Sequence, residues 1–279
     1  MADITAEAVR ALRERTDLPM MECKKALVEA GGDEEKAVLI LKEKVKGLKE
    51  KFPDRVAGEG KVATVTAADG KSAVMVELLC ESAPVAKSED FLFLCDQLTK
   101  QLMHGPGAAD AAELLGQKCP DKPAQTIHEL HEEVLNKIRE KIVVGRIVKV
   151  AGPVAGYTHH DGSLGVLFQA KGDNATAPVL RDVAMQIAAL NPAVCLPEQL
   201  DPAVVATERT KQAEEARKSG KPENIIDKIV DGKMRTFYSN EGVLVAQPFV
   251  KDDKQTVAQA LSAAGLTAVG FTRWRLGKP

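Results

Sequence analysis

Residues 12–27 of the chain read LRERTDLPMMECKKAL, and this stretch marks where one helix ends and the next begins. In the helix before it, Val9 and Leu12 are apolar and lie three positions apart, and Thr5 can cap its first turn. The sequence Asp17-Leu18-Pro19 ends that pattern, because proline lacks the amide that a helix interior needs but fits the first turn of a new helix. The stretch therefore predicts two short helices joined by a tight turn.

A third helix completes this N-terminal module. The second helix ends at Gly31-Gly32, and Asp33 can cap the next helix, which turns Val38 and Leu41 inward. A lysine-rich tether, KEKVKGLKEKFPDR, follows at residues 42–55. Because glutamates interrupt its lysines and no aromatic residues interleave, we interpret it as a solvated linker rather than an RNA-binding segment. We predict a three-helix module over residues 1–52, with a boundary near Phe52.

A β-hairpin pattern follows the module and occurs twice. Residues 62–66 and 72–79 are apolar-rich runs around the turn dipeptide Asp69-Gly70, and the pattern recurs 92 positions later around Asp161-Gly162. A helix follows each hairpin, at residues 88–103 and 178–191. We interpret this recurrence as an internal duplication that gives two similar α+β halves.

The remaining segments complete the domain prediction. We predict a core N-half over residues 56–150, which includes a long helix from Thr126 to Ile142. Residues 151–196 and 238–279 form the C-half, and residues 197–237 form an inserted antiparallel helical hairpin, with a turn at Ser219-Gly220-Lys221-Pro222. The fold class is therefore α+β.

Composition excludes several classes of protein. The 279 residues carry a formal net charge of -2 with both signs interspersed, which does not favour direct binding to nucleic acid. There is no run of 18 apolar residues and no secretory signal pattern in MADITAEAVR, so we expect a cytoplasmic protein without a membrane segment. The five scattered cysteines are typical of reduced, mostly buried thiols and suggest neither a disulfide framework nor a zinc site.

Signatures of catalysis are missing from the sequence. It contains no phosphate-binding GxxxxGK[ST] loop, no GxGxxG and no GxSxG, so we predict that it is not an enzyme and holds no nucleotide or cofactor of its own. The pair His128 and His131 has a spacing that can bind a metal, but a solvated helix face explains it. The run His159-His160-Asp161 is open to a metal or acid–base interpretation, although a hairpin turn explains Asp161-Gly162 and a protein contact is favoured.

Residues 12–27 closely resemble the N-terminal signature of the elongation factor Ts family. The run YTHHDGSLGVL at 157–167 resembles the Tyr-x-His hairpin of that family. Three later stretches resemble further landmarks of the family, in the same order: residues 185–189, 219–222 and 247–250. The resemblance covers essentially the whole chain.

The resemblance implies a function and a set of contact residues. Family members have an N-terminal module similar to ubiquitin-associated domains, a duplicated core and a coiled-coil hairpin. They bind GDP-bound elongation factor Tu and promote GDP release without a metal or cofactor of their own. By position, Arg13, Met20 and Met21 would contact this GTPase, and His159 would lie at a core contact. Thioethers adapt to a partner surface, but the methionines are equally consistent with core positions.

The chain departs from the family at the second signature. Family members usually have Thr-Asp-Phe-Val-Ala-Lys, whereas this chain has Ser82-Ala83-Pro84-Val85-Ala86-Lys87, without the acid and the aromatic. We still expect Ser82, Ala83, Pro84 and Val85 to contact the partner. The departure leaves open an alternative, a paralogue that binds or holds elongation factor Tu with weak exchange.

The sequence also leaves the assembly open. A homodimer and a 2:2 complex with the partner are both consistent with it. We expect the chain, which ends at Pro279, to lack the extra C-terminal helix of some members.

Overall fold

The N-terminal helices have the predicted order and caps. The computed structural model describes residues 4–16, 18–49, 54–219 and 222–277, and the first three helices are α1 (Ala6–Thr16), α2 (Met20–Glu29) and α3 (Glu34–Lys49). The Thr5 hydroxyl accepts a hydrogen bond from the amide of Ala8 at 3.2 Å, and the Asp33 carboxylate accepts one from the amide of Lys36 at 3.1 Å. The predicted boundary at Phe52 lies outside the described residues.

The small core of this module contains the apolar side chains that the sequence pattern predicted to face inward. Its buried members are Val9, Leu12, Leu18, Cys23, Ala26, Leu27, Ala37 and Leu41. Helix α3 continues through Lys49, so the first part of the lysine-rich tether is helical. The second helix begins directly after Pro19, whose φ of -57° suits the entry to a helix.

The first half of the remaining chain is a three-stranded sheet with helices. Its elements are β1 (Glu59–Thr66), β2 (Ser72–Cys80), α4 (Glu89–His104), α5 (Ala111–Leu115), α6 (Ile127–Ile138) and β3 (Val143–Ala151), and the strand order is β1-β2-β3. The prediction that one helix reaches Ile142 was wrong. Helix α6 ends at Ile138 because Arg139 takes a left-handed φ of 63°, and Ile142 is buried just before strand β3, which was not predicted.

The second half also contains a three-stranded sheet with helices. It contains β4 (Val154–Thr158), β5 (Leu164–Gly172), α7 (Pro178–Leu190), α8 (Pro202–Lys218), α9 (Glu223–Asn240), β6 (Pro248–Phe249), β7 (Asp252–Thr256), α10 (Val257–Ala263) and β8 (Leu266–Arg275). The main sheet has the order β4-β5-β8 and both of its pairings are antiparallel. The mixture of helices and antiparallel sheets confirms the α+β class.

Helices α8 and α9 pack against each other through an apolar seam formed by Ala216, Ile226, Val230 and Met234. Ion pairs at the two ends of the seam, Arg209–Asp231 at 2.9 Å and Arg217–Glu223 at 3.3 Å, fit an antiparallel arrangement. Helix α9 ends at Asn240, three residues beyond the predicted end of the helical hairpin at 237. Gly220 and Lys221 of the predicted turn lie outside the described residues.

By its internal contacts the chain divides into two compact units. The first unit comprises the described residues of 1–61, 77–101 and 108–145, and the second unit those of 62–76, 102–107 and 146–279. The domain boundaries proposed from the sequence stay a prediction. All five cysteines are free and buried, as their scattered pattern indicated.

Reciprocal hydrogen bonds join the two predicted hairpins inside the second unit. The amide of Val62 donates to the carbonyl of Gly162 at 2.8 Å, and the amide of Val154 donates to the carbonyl of Gly70 at 3.0 Å. Adding the 92-residue offset converts Val62 into Val154 and Gly70 into Gly162. Contacts that exchange in this way are those of a two-fold-related pair, which supports the interpretation of a duplication.

Candidate partner-binding site

The predicted contact residues of the N-terminal module lie on its surface. Met20 is 40% exposed and Met21 is 63% exposed at the first turn of α2, and Arg13 is exposed on α1. The alternative that either methionine belongs to the core was therefore wrong. We call Arg13, Met20 and Met21 the methionine surface, and its role in binding stays a prediction.

The residue after Met21, Glu22, forms an ion pair with Arg139 within the first unit. The Arg139 guanidinium donates two hydrogen bonds to the Glu22 carboxylate, one from each terminal nitrogen. The hydrogen bonds from Arg139 hold the pKa of Glu22 below its usual value. The two side chains are 27% and 32% exposed, so solvent screens this pair less than it screens a fully exposed one. The pair fixes the start of α2 to the end of α6.

The residue after Arg139 is Glu140, which is hydrogen-bonded to the first residue of the altered family signature, Ser82. The Glu140 carboxylate accepts the Ser82 hydroxyl at 2.7 Å and the Ser82 amide at 3.0 Å. Ala83 and Pro84 are exposed, while Ser82 and Val85 are half-buried. We call residues 82–85 the contact loop. Its exposed tip is available to a partner, and its first residue is held by two hydrogen bonds.

The far side of the contact loop is also held in place. A short 3-10 helix, Val85–Lys87, follows the tip, and the Ser88 hydroxyl then accepts from the amide of Phe91 at 3.4 Å in the first turn of α4. Before the tip, the Cys80 thiol donates to the Ser82 carbonyl at 3.3 Å. Burial raises the pKa of Cys80 to about 11, which keeps it a hydrogen-bond donor at neutral pH.

A second acidic residue ties the same region together. Glu81 accepts the amide of Lys141 at 2.6 Å and the Arg55 guanidinium at 3.1 Å, and the Lys141 ammonium donates to the Arg55 carbonyl at 2.9 Å. Burial alone would raise the pKa of Glu81, but these two donors bring it below its usual value. Residues 139–141 are therefore hydrogen-bonded both to α2 and to the chain beside the contact loop.

Sequence reasoning found the methionine surface and the contact loop but missed the residues that join them. Glu22, Arg139 and Glu140 lie in ordinary charged stretches of helical sequence. Glu22 and Arg139 are 117 positions apart, so no local spacing pairs them. The left-handed conformation of Arg139 is a local peculiarity of this segment, and sequence alone did not reveal it.

His159 lies in the second unit, at the turn between β4 and β5. Its Nδ1 donates to the Asp161 carboxylate at 2.9 Å, and the amide of Ser163 donates to the same oxygen at 2.8 Å. The hydrogen bond from His159 is the main reason that the pKa of Asp161 lies well below its usual range. Gly162 has a φ of 75°, as a hairpin turn requires. Because Nδ1 carries the proton that it donates to Asp161, a neutral His159 has its lone pair on Nε2.

The histidine pair on α6 has a third companion that the sequence analysis did not count. Glu132 joins His128 and His131, and one donor atom from each lies within 4.8 Å of the other two. This is a set that could hold a divalent cation. The Nε2 of His131 already donates to the Ile142 carbonyl at 2.9 Å, so this nitrogen is engaged in the fold. The bond ties α6 to the chain just before β3.

Comparison with known proteins identifies the class to which this fold and surface belong. A family model described as Elongation factor TS matches residues 81–278. Elongation factor Ts of Thiobacillus denitrificans is 42% identical over 280 residues, covering 100% of this chain and 93% of the relative. That of Azoarcus is 40% identical over 281 residues with 100% and 92% coverage. That of Aquifex aeolicus is 38% identical over 285 residues, with 98% of each chain covered.

These matches define a factor of translation elongation in protein biosynthesis. The chain belongs to the elongation factor Ts family, as the resemblance indicated. The alternative of a paralogue gains no support, because the relatives match over nearly their entire length. Within the described residues, no helix has the length and apolar character needed to span a bilayer.

Proposed function

We propose that this chain is a guanine-nucleotide exchange factor that binds elongation factor Tu in its GDP-bound state and promotes release of GDP. The observation that carries the proposal is the pairing of two exposed elements, the methionine surface and the contact loop, on one hydrogen-bonded segment of the first unit. These are the elements that the family resemblance assigns to the partner. The chain performs no bond chemistry in this account and needs no cofactor.

Exchange by binding alone requires differential affinity. A protein accelerates release of GDP when it binds the nucleotide-free partner more tightly than the GDP-bound partner, because the partner must pass through a state in which GDP is loosened. Flexible thioethers suit the first, broad contact, since they adapt to the surface that they meet. A small, constrained tip such as Ala83-Pro84 suits the second contact, since it has little freedom to lose on binding.

His159 is the proposed contact of the second unit. Its Nδ1 is fixed by Asp161, so the ring presents a defined Nε2 to a partner. With a side chain that is 39% exposed, it can form a hydrogen bond without leaving its turn. The predicted complex thus uses a contact from each unit of the chain.

Thermodynamic linkage supplies the test. Calorimetry should compare binding of this chain to the cognate elongation factor Tu without nucleotide and with saturating GDP. We expect affinity to be at least about tenfold tighter for the nucleotide-free partner, because coupling energies between two ligands are commonly of that size. Equal affinity for the two forms would overturn the exchange function and favour a holding protein.

A further inference from the structure

We propose that Arg139 and Glu140 are positioning residues that couple the methionine surface to the contact loop, so that the two elements engage the partner as one body. The inference rests on the proposed exchange function and deepens it by naming the residues that set the relation between the two contacts. We call residues 139–141 the coupling segment. Neither Arg139 nor Glu140 is required to touch the partner in this account.

The backbone of Arg139 has an unusual conformation for a residue with a long side chain. Helices commonly end with a left-handed residue, but glycine or asparagine usually occupies that position because a larger side chain crowds the backbone there. Among the described residues, the other non-glycine residue with positive φ is Asn191 at the end of α7, a residue that tolerates this conformation. An arginine with a φ of 63° needs a reason beyond the turn. Its bidentate contact with Glu22 supplies one.

Two adjacent residues bind the two contact elements, the methionine surface and the contact loop. Arg139 binds Glu22, which directly follows Met21, and Glu140 binds both the hydroxyl and the amide of Ser82. Consecutive α-carbons are separated by a fixed distance across a planar peptide. Movement of α2 relative to the contact loop must therefore break one of these contacts or distort the segment.

Hydrogen bonds fix the coupling segment at both ends. The amide of Arg139 donates to the Leu135 carbonyl at 2.8 Å, which closes the last turn of α6. The His131 ring donates to the Ile142 carbonyl at 2.9 Å directly after the segment. A segment held in this way can transmit a displacement instead of absorbing it.

Replacement of Arg139 by glycine gives a clean test, because glycine adopts the same φ without strain and only the side chain is lost. In stopped-flow release of fluorescent GDP from elongation factor Tu, we expect Arg139→Gly to lower the saturating release rate about tenfold, the order expected for a lost charged hydrogen-bond pair. The half-saturating concentration should change much less, because the methionine surface is untouched. Loss of fold would instead change both quantities together with the melting temperature.

Four further variants separate coupling from simple destabilisation. Glu22→Gln should give the same loss as Arg139→Gly, and the double variant should be no worse than either, as expected of two residues that act as one pair. Glu140→Gln weakens the hydrogen bonds to Ser82 and should therefore also lower the saturating release rate. The exchanged pair Glu22→Arg with Arg139→Glu should recover part of the rate. The matched control is Asn191→Gly, the same kind of replacement at the end of α7, which should leave the release rate unchanged.

The outcomes distinguish the coupling from the exchange function itself. If the unmodified chain accelerates GDP release and Arg139→Gly and Glu140→Gln do so equally well, the coupling is wrong and the exchange function stands. If the unmodified chain does not accelerate release, the exchange function fails. Amide hydrogen exchange then tests the coupling alone: Arg139→Gly should raise exchange in both α2 and the contact loop, and a rise confined to the end of α6 would overturn it.

Discussion

Thr64 and Thr158 share a hydrogen bond between their hydroxyl groups, whose oxygens are 2.9 Å apart, and the amide of Thr64 donates to the same Thr158 hydroxyl at 3.1 Å. The reciprocal contact is also present, from the amide of Gly156 to the Thr66 hydroxyl at 2.9 Å. With the 92-residue offset, Thr64 corresponds to Gly156 and Thr66 corresponds to Thr158. The two hairpins thus meet as the subunits of an isologous dimer do.

This relationship predicts matched effects on stability. Thr158→Val and Thr66→Val each remove a hydroxyl that accepts a backbone amide across the pair, and each should lower the free energy of unfolding by about 1–2 kcal/mol. Urea unfolding measures both. A loss for one variant only, with the other equal to the unmodified chain, would contradict the two-fold relation. Thr207→Val on α8, whose hydroxyl bonds only within its own helix, is the control.

The methionine surface gives the second prediction. The double change Met20→Asp with Met21→Asp should weaken binding to elongation factor Tu by at least about tenfold, since it places charge in an apolar contact. Both side chains are exposed, so the module should melt as before. The control is Leu39→Asp on α3, which is 60% exposed but is not assigned to the contact. Unchanged affinity in calorimetry of the folded double variant would remove this surface from the site.

The contact loop gives the third prediction. Ala83→Asp with Pro84→Phe restores the acid and the aromatic of the family signature and should accelerate GDP release about tenfold, because an aromatic anchor at an interface is often worth about 2 kcal/mol or more. The exposed tip has room for both side chains. The assay should use the cognate elongation factor Tu and one from a species whose factor Ts has Asp-Phe. Acceleration with neither partner would show that the loop is not the site of action.

The Glu22–Arg139 pair gives a pH dependence. Arg139 lowers the pKa of Glu22 in the folded chain, so the stabilisation is complete above the unfolded pKa, about 4.3, and is lost as pH falls through the folded value. The difference in unfolding free energy between the unmodified chain and Glu22→Gln should therefore be constant from about pH 6 to 8 and shrink below about pH 4. Urea unfolding across this range measures it. A difference that does not shrink as the pH falls below about 4 would contradict the pairing.

Local chemistry made much of the fold predictable. Thr5, Asp33 and the Asp-Gly turns act on the backbone within a few residues of themselves, so their roles follow from spacing alone. The short apolar run from Ile142 to Val144 was different, because helical and extended periods both fit such a run. The left-handed residue Arg139 ends α6, four positions before β3 begins at Val143.

The candidate contact residues could be proposed from the sequence only where the family resemblance marks a position. Met20, Met21 and the altered Ser82–Val85 string lie at family signatures, whereas Glu22 is one of many charged residues. Its importance comes from Arg139, which the fold brings to it across 117 positions. Long-range ion pairs leave no spacing pattern, and so the coupling segment could be found only in three dimensions.

Stopped-flow release of fluorescent GDP from the cognate elongation factor Tu is the decisive measurement for the exchange function. With increasing concentrations of this chain and excess unlabelled GDP, the release rate should rise above the spontaneous rate and reach a plateau. The Met20→Asp, Met21→Asp variant should need much higher concentrations to approach the same plateau. A release rate that stays at the spontaneous value at every concentration, while calorimetry detects binding, would contradict the account and leave a protein that holds elongation factor Tu without exchanging its nucleotide.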